Sequence, residues 1–241
     1  MIWKTALYYV RFGLVLALVS GQLTERQKET ILNLHNIYRS IVNPPAADML
    51  RMTWDDGLAL VAAGYADQCI WEHNPDVQNE LGENLFITTG TLNVNKSMAW
   101  WFDEQENYNY ESNTCELGMC GHYTQVVWAK SNNVGCASHL CRTVKNLEYK
   151  NTTILVCNYF PPGNVVGKLP YATGVSCSDC PAKAVECIEN LCIPTDNMTD
   201  NYYVDTYPTE TPWTEAVSSA GFTKLSVATL LLTGLTVAFI L

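Results

Sequence analysis

The sequence predicts an α/β fold followed by a small disulfide-stapled appendage. Segments with helical apolar periodicity alternate with short β-branched segments between residues 22 and 170, a length that suits helices packed around a central sheet. Six of the ten cysteines lie between Cys69 and Cys157, and the other four lie between Cys177 and Cys192. The second group stands in a segment with too few apolar residues for its own core, so disulfides are expected to hold residues 171–193 together.

The first predicted helix lies in LTERQKETILNLHNIYRS. Thr24 and Gln27 have the spacing of a capping box, in which each side chain accepts a hydrogen bond from the other residue's backbone N–H. Ile31, Leu34 and Tyr38 then recur on one helical face, which is expected to point into the core.

Two more helices and two strands follow. Asp55 is placed to cap a helix that ends near Cys69. The inward residues of that helix are expected to be Leu58, Val61, Ala62 and Tyr65. A third helix is expected from Asn95 to Tyr108, with Met98, Trp100 and Trp101 as its apolar residues. NVGCASHL and TTILVCNYF are short and rich in β-branched residues, so both are predicted strands.

Residues 1–21 have the pattern of a secretory signal peptide. Lys4 and Arg11 are their only charged residues, and the apolar run from Phe12 to Val19 leads into small residues before Gln22. The alternative is a membrane anchor, but the run is much shorter than the roughly 20 apolar residues of a spanning helix. We therefore expect the chain to enter the secretory pathway.

The C-terminal region predicts a stalk and a membrane attachment. Residues 194–217 are rich in Thr, Pro, Tyr and acidic residues without apolar periodicity, which is typical of a disordered stalk. Residues 218–241 contain small residues from Ser218, a short polar spacer and an apolar tail, the pattern of a glycolipid (GPI) attachment signal with Ser218 as the attachment residue. A single spanning helix is the alternative, because the tail lies at the lower limit of spanning length. Both interpretations place the chain on the extracellular side of a membrane.

Charge and cysteine usage exclude some functions. The formal net charge is −10 and no basic patch is visible, which argues against nucleic-acid binding. Ten cysteines in a secreted chain predict five disulfides and leave no free thiol for a nucleophile. The spacing of Cys177 with Cys180 and of Cys187 with Cys192 also fits a zinc ribbon, an interpretation that an oxidising compartment disfavours.

Two of the four histidines are candidates for a functional site. His35 in the first helix and His139 on a strand are interpreted as structural. His73 in CIWEHN and His122 in CGHYTQ have polar neighbours, and Glu83 in LGENLF and Glu104 in WWFDEQ supply carboxylates. Two imidazoles and two carboxylates suit a divalent metal such as zinc. The alternative is that all four are separate, hydrogen-bonded structural residues.

Three sequons predict N-linked glycans: Asn95 in NKS, Asn151 in NTT and Asn197 in NMT. Asn151 is expected in a polar loop between two strands, where a bulky sugar is tolerated.

Several motifs together resemble the CAP superfamily of cysteine-rich secretory, antigen 5 and pathogenesis-related 1 proteins. GHYTQVVWAKSNNVGC and LVCNYFPPGNVVGK are similar to its two signature motifs, and LHNIYR, CIWEHN and LGENLF match other landmarks in the same order. The resemblance implies an α-β-α sandwich with a cavity lined by two histidines and two glutamates. Matched motif by motif, these are His73, Glu83, Glu104 and His122.

The resemblance also implies the disulfide pairing. The implied pairs are Cys69 with Cys141, Cys115 with Cys120, Cys136 with Cys157, Cys177 with Cys187 and Cys180 with Cys192. A further bridge of venom relatives would need cysteines at Leu81 and Tyr159, and both are absent. No cysteine follows Cys192, so the channel-regulating module of those relatives is also missing.

The expected function is extracellular binding. No G-x-S-x-G motif, free cysteine or H-E-x-x-H motif is present, so a conventional protease is not predicted. The resemblance implies a binding protein that acts on extracellular protein partners or on lipid and sterol ligands, with peptidase inhibition as a further role. The alternative is a metal-dependent hydrolase that uses the His/Glu cavity to activate water.

Overall fold

The structure is a computed structural model that describes residues 23–195. The predicted signal peptide, almost all of the predicted stalk, the attachment segment with Ser218, and Asn197 lie outside these residues. In chain order the elements are α1 (Glu25–Ser40), β1 (Thr53–Trp54), α2 (Asp56–Ala66), a 3-10 turn (Pro75–Val77), β2 (Gly82–Thr89), α3 (Val94–Asp103), a second 3-10 turn (Glu104–Asn107), β3 (Tyr108–Asn109), β4 (Thr114–Cys115), α4 (Gly121–Val126), β5 (Asn133–Thr143), β6 (Lys150–Phe160), β7 (Glu186–Ile188) and β8 (Leu191–Ile193).

A four-stranded sheet in the order β1-β5-β6-β2 forms the centre of the domain. β5 pairs with β6 and β6 with β2 in antiparallel fashion, whereas the short β1 runs parallel to β5. The register places Cys136 directly opposite Cys157, and these two residues form a disulfide. The long β5–β6 hairpin therefore joins the outer strands, and the predicted α/β fold is confirmed.

Apolar residues cover both faces of this sheet, because successive strand residues point to opposite sides. On β6, Leu155, Cys157 and Tyr159 belong to the core that α1, α3 and α4 complete. The alternate residues Ile154 and Val156 belong to a second core that α2 completes. The molecule thus has three layers, and the α-β-α sandwich that the resemblance implied is confirmed.

The helix N-termini follow the sequence signals. Thr24 and Gln27 form both bonds of the capping box, and the Asp55 side chain accepts a hydrogen bond from the Leu58 N–H.

The buried face of α1 differs from the predicted one. Leu34 and Tyr38 are only partly buried, and the buried residues are Ile31, His35, Asn36 and Arg39. Polar side chains occupy this face because they bond backbone groups of the loops that cross α1.

The third helix also differs from its prediction. Its α-helical part ends at Asp103, and Glu104 begins a tighter 3-10 turn. Trp101 is fully buried, whereas Trp100 is 52% exposed. The two tryptophans are adjacent on a helix and therefore point in different directions.

The five disulfides pair as the resemblance implied. The bonds join Cys69 with Cys141, Cys115 with Cys120, Cys136 with Cys157, Cys177 with Cys187 and Cys180 with Cys192. No free cysteine remains among the described residues.

The cysteine-rich segment after residue 171 is built into the domain. Its hairpin of β7 and β8 places Leu191 and Cys192 at full burial, with Leu191 in the core beneath α1. The Cys192 N–H donates to the Met49 carbonyl, and the Arg51 N–H donates to the Cys192 carbonyl. The segment thus shares the core of the main domain. Between residues 23 and 195 no helix combines the length and the apolarity that a membrane span requires.

Candidate functional site

The four predicted site residues come from four different elements. His73 lies in the loop after α2, Glu83 is the second residue of β2, Glu104 opens the second 3-10 turn, and His122 is the second residue of α4. The structure arranges them as two His–Glu pairs. His73 pairs with Glu83, and His122 pairs with Glu104.

The pair of His122 and Glu104 is largely buried. Nδ1 of His122 lies 2.7 Å from Oε1 of Glu104, and the two side chains are 18% and 9% exposed. The other oxygen of Glu104 accepts hydrogen bonds from the backbone N–H groups of His122 and Tyr123 at 3.0 and 3.3 Å. The ring of Trp101 lies parallel to the imidazole at 6.1 Å between centroids. Glu104 therefore fixes both the orientation of the ring and the first turn of α4.

The pair of His73 and Glu83 lies closer to solvent. Nδ1 of His73 lies 2.9 Å from Oε1 of Glu83, which also accepts the Asn74 N–H at 2.9 Å. The His73 side chain is 69% exposed, whereas that of Glu83 is 5% exposed. The hydrogen bond to Glu83 raises the pKa of His73 above its ordinary value, although partial burial opposes this rise. Oε2 of Glu83 is buried and has no hydrogen-bond partner among the described residues.

Asn84 connects the two pairs. Its Nδ2 donates to the backbone carbonyl of His122 at 3.1 Å and to the Tyr159 hydroxyl at 3.3 Å. Asn84 directly follows Glu83 on β2, so this contact holds the strand that carries one pair against the helix that carries the other.

Gln125 ties α4 to the loops before β5 and after β6. Its Oε1 accepts the Gly163 N–H at 3.1 Å, and its Nε2 donates to the Ser131 hydroxyl at 3.2 Å. A Cβ atom at Gly82 or at Gly163 would collide with this side chain. The roles of Asn84 and Gln125 were not predicted, although the quoted motifs LGENLF and GHYTQ contain these residues. The reason is that both side chains contact segments that are distant in sequence.

The four residues do not form a closed metal shell. Among the described residues, two groups of three or more candidate ligands have their ligand atoms within 4.8 Å of one another, and neither contains a residue of the two pairs. These groups are Cys69 with His139 and Cys141, and Cys177 with Cys180 and Cys192. All their cysteines are disulfide-bonded, so no thiolate is available to bind a metal. The chemistry of the site therefore rests on the two His–Glu pairs.

The other two histidines lie apart from the pairs. His35 is fully buried and hydrogen-bonds the Ile31 carbonyl and the Tyr159 hydroxyl. Nδ1 of His139 lies 3.4 Å from a carboxylate oxygen of Asp67 near the surface. Both have the structural surroundings that their sequence contexts indicated.

Two predicted glycan acceptors are described. Asn95 is exposed in the first turn of α3. Asn151 is exposed with φ of 50°, but it is the second residue of β6, so its placement in a loop was wrong. Its exposed position at the start of the strand is compatible with a sugar, and occupancy at both positions stays a prediction.

The comparisons with known proteins agree with this architecture. The family model described as "CAP: Cysteine-rich secretory protein family" matches residues 32–159. Peptidase inhibitor 16 of Homo sapiens is 47% identical over 194 residues, which cover 80% of this chain and 42% of that protein. Peptidase inhibitor 15 of Homo sapiens is 39% identical over 194 residues, which cover 75% of this chain and 74% of that protein.

Solved structures add the fold. BmVAL-1 matches with a TM-score of 0.58 and 27% identity, covering 73% of this chain and 98% of that one. NaASP2 with Zn²⁺ matches with a TM-score of 0.57 and 28% identity, covering 70% of this chain and 96% of that one. The chain spans only 35% to 42% of the length of the peptidase inhibitor 16 proteins of Homo sapiens, Mus musculus and Bos taurus. With these matches over most of the described residues, the chain belongs to the cysteine-rich secretory protein (CAP) family.

Proposed function

We propose that this chain is an extracellular binding protein whose two His–Glu pairs hold a divalent metal ion, with zinc as the best candidate. The observation that carries the proposal is the pairing itself. Each histidine turns one ring nitrogen toward a carboxylate, which leaves the other nitrogen for a ligand. Metal-binding histidines commonly have this second partner, because the carboxylate fixes the ring orientation and raises its basicity.

The unpaired oxygen of Glu83 supports the same proposal. A buried carboxylate oxygen without a hydrogen bond is costly, and a bound cation or a water molecule is the usual partner. His73 and His122 would supply nitrogen ligands, and Glu83 and Glu104 would orient them. A bound metal would supply positive charge at the surface next to an exposed imidazole. The related NaASP2 has been solved with Zn²⁺.

The proposed role of the site is to organise a binding surface for an extracellular protein partner or for a lipid or sterol ligand. One oxygen of Glu104 accepts backbone N–H groups of α4, and the other is hydrogen-bonded to the His122 ring. This carboxylate therefore holds α4 and the ring in place. A general base must be free to take a proton from a reacting group. The geometry therefore favours binding over the alternative of a metal-dependent hydrolase.

Peptidase inhibition is a second candidate function. The relatives that are 39% to 49% identical to this chain are named peptidase inhibitors 15 and 16. Inhibition by this chain would be measured as slower cleavage of a broad peptide library by trypsin-like, chymotrypsin-like and metal-dependent peptidases. Cleavage of the library by the chain alone, lost in Glu104→Gln, would instead support the hydrolase.

Calorimetric titration with Zn²⁺ tests the metal site. The expected result is one zinc ion per chain, with affinity lowered at least tenfold in His73→Ala and in His122→Ala, since each removes a nitrogen ligand. His139→Ala is the matched control, because this histidine lies near the surface outside both pairs and is expected to leave the affinity unchanged. Equal affinity in all three variants would mean loose binding by surface carboxylates and would contradict the proposal.

A further inference from the structure

A surface depression lies on a part of the molecule that the proposed function does not use. Its volume is about 460 Å³, and it forms where the end of β5 meets the segment after α2. The lining residues are Gln68, Cys69, Arg142, Thr143, Val144 and Lys145. None belongs to a His–Glu pair. A depression of this volume falls within the range of sites that hold small molecules.

Several contacts fix the backbone of this depression. The Cys69–Cys141 disulfide joins its two sides, and the Lys145 N–H donates to the Cys69 carbonyl at 2.8 Å. Ile70 and Lys145 also form an isolated parallel bridge, and the Val144 side chain is buried beneath them. The shape is therefore built before any ligand arrives, which lowers the entropic cost of binding.

The polar side chains that line the depression are hydrogen-bond donors. Arg142 and Lys145 are its two cationic residues, and Gln68 and Thr143 are its neutral polar residues. No carboxylate lines it. Within residues 23–195 neither Arg142 nor Lys145 forms an ion pair, although the full chain carries 24 acidic residues against 14 basic ones. Two unpaired cations at one concave site favour an anionic ligand.

Neighbouring charges support this character. Lys150 stands opposite Thr143 in the strand register, which adds a third cation beside the depression. Two nearby acids keep their negative charge but contact other residues: Asp67 lies 3.4 Å from His139, and Glu72 accepts a hydrogen bond from Asn146. Glu148, in the loop between β5 and β6, does not line the depression. Neither acid forms an ion pair with Arg142 or Lys145 within residues 23–195.

We propose that this depression binds a sulfate ester group on a sugar chain. The guanidinium of Arg142 matches two oxygens of a sulfate group with two parallel hydrogen bonds, and Lys145 adds a point charge. Thr143 can bond a sugar hydroxyl, and so can Gln68, whose Nε2 donates a long hydrogen bond of 3.5 Å to the Gly64 carbonyl. The two cationic residues of the depression suit one sulfated unit, whereas the net charge of −10 disfavours a long, densely charged polyanion such as DNA.

Calorimetric titration of the full-length protein with a sulfated tetrasaccharide at low ionic strength tests the proposal. The expected result is one binding site whose affinity falls as salt is added. Arg142→Gln and Lys145→Gln should each weaken binding roughly tenfold, since each removes a charge-assisted hydrogen bond. Arg142→Lys keeps the charge but loses the fork, so it should bind between wild type and Arg142→Gln. Lys183→Gln, which changes the net charge equally outside the depression, should bind like wild type.

Three comparison ligands test which part of the sulfated sugar is recognised. The same tetrasaccharide without sulfate should not bind. Inorganic sulfate and inorganic phosphate should bind more weakly than the sulfated sugar; equal or tighter binding of either free anion would overturn the assignment to a sugar. Because Asn151 follows Lys150 in the chain, the titration is repeated after enzymatic removal of N-linked glycans. Binding in either form supports the site, and absence of binding in both overturns it.

Discussion

His35 is a fully buried histidine with both ring nitrogens hydrogen-bonded. Nδ1 lies 2.8 Å from the Ile31 carbonyl oxygen, which can only accept, so Nδ1 carries the proton. Nε2 then accepts a hydrogen bond from the Tyr159 hydroxyl at 2.9 Å. Burial lowers the pKa of His35 to about 4; the Ile31 carbonyl opposes this shift, and the charge of Arg39 adds to it.

Because His35 is buried and uncharged, we expect the fold to lose stability as the pH falls. The unfolded chain protonates His35 below about pH 6.5, whereas the folded chain resists protonation until about pH 4. The unfolded state therefore binds more protons in this window. As the pH decreases from about 6.5 to about 4, this residue should lower the free energy of unfolding by about 3 kcal/mol. Denaturant unfolding of wild type and His35→Gln across the window measures the difference.

The variant should be less stable at neutral pH but should lose this part of the pH dependence. His139→Gln is the control and should keep it. The raised pKa of His73 acts in the opposite direction, since its contribution to stability is present at low pH and is lost as pH rises. An unchanged pH slope in His35→Gln would contradict the role of burial.

The structural role of Arg39 could not be predicted from the sequence. Its guanidinium is buried and donates to four carbonyl oxygens, those of Leu50, Val126, Trp128 and Ala129, at 2.6 to 3.0 Å. It thereby ties α1 to the loop before β1 and to the end of α4. The sequence shows Arg39 only as a helical neighbour of His35, because its acceptors lie 11 to 90 residues away along the chain.

At the scale of elements, the close approach of α2 to β5 is set by Gly135. A Cβ atom at this position would collide with the Asp55 carbonyl oxygen and the Ala59 backbone nitrogen. Gly135→Ala should therefore push the helix from the sheet and lower the free energy of unfolding by about 1–3 kcal/mol or more, the usual cost of overpacking. Thermal unfolding measures the change as a lower Tm.

Gly64→Ala on the same helix is the matched control. A Cβ atom at Gly64 meets no atom within 4 Å, and alanine has the higher helix propensity. This variant should be neutral or up to about 1 kcal/mol more stable. If Gly64→Ala lowered Tm as much as Gly135→Ala, the loss would have a cause other than the contact between α2 and β5.

The elements themselves were largely predictable because their signals are local. The capping box at Thr24 and the N-cap at Asp55 mark helix starts within three residues, and TTILVCNYF has the composition of a strand. The pairing of those strands was not predictable from the residues, since register depends on contacts between distant segments. The same limit applies to the candidate site. Its four residues came from matched motifs, and only the structure arranges them as two pairs.

At the scale of the whole molecule, disulfides tie the loops to a shared core. Cys69–Cys141 closes a separation of 72 residues and fixes the segment that leads toward His73. Sequence composition predicted an appendage for residues 171–193, yet Leu191 fills the main core. A segment with few apolar residues can be ordered by sharing the core of its neighbour, which composition alone does not reveal.

The predicted attachment to membranes is a property of the full chain. The pattern of small residues near Ser218 followed by an apolar tail leads us to expect release from cells by a phosphatidylinositol-specific phospholipase. Immunoblots of medium and membranes before and after treatment measure this release. Retention on the membrane, with a peptide ending at Leu241 still detected by mass spectrometry, would indicate a spanning helix instead.

The two His–Glu pairs are proposed to form one zinc site. An anomalous difference map at the zinc absorption edge, from crystals of the protein grown with zinc, tests it most directly. We expect one strong peak next to the free ring nitrogens of His73 and His122, with each Nδ1 still bonded to its glutamate. Zinc found only on surface carboxylates, with no peak between the two histidines, would contradict it.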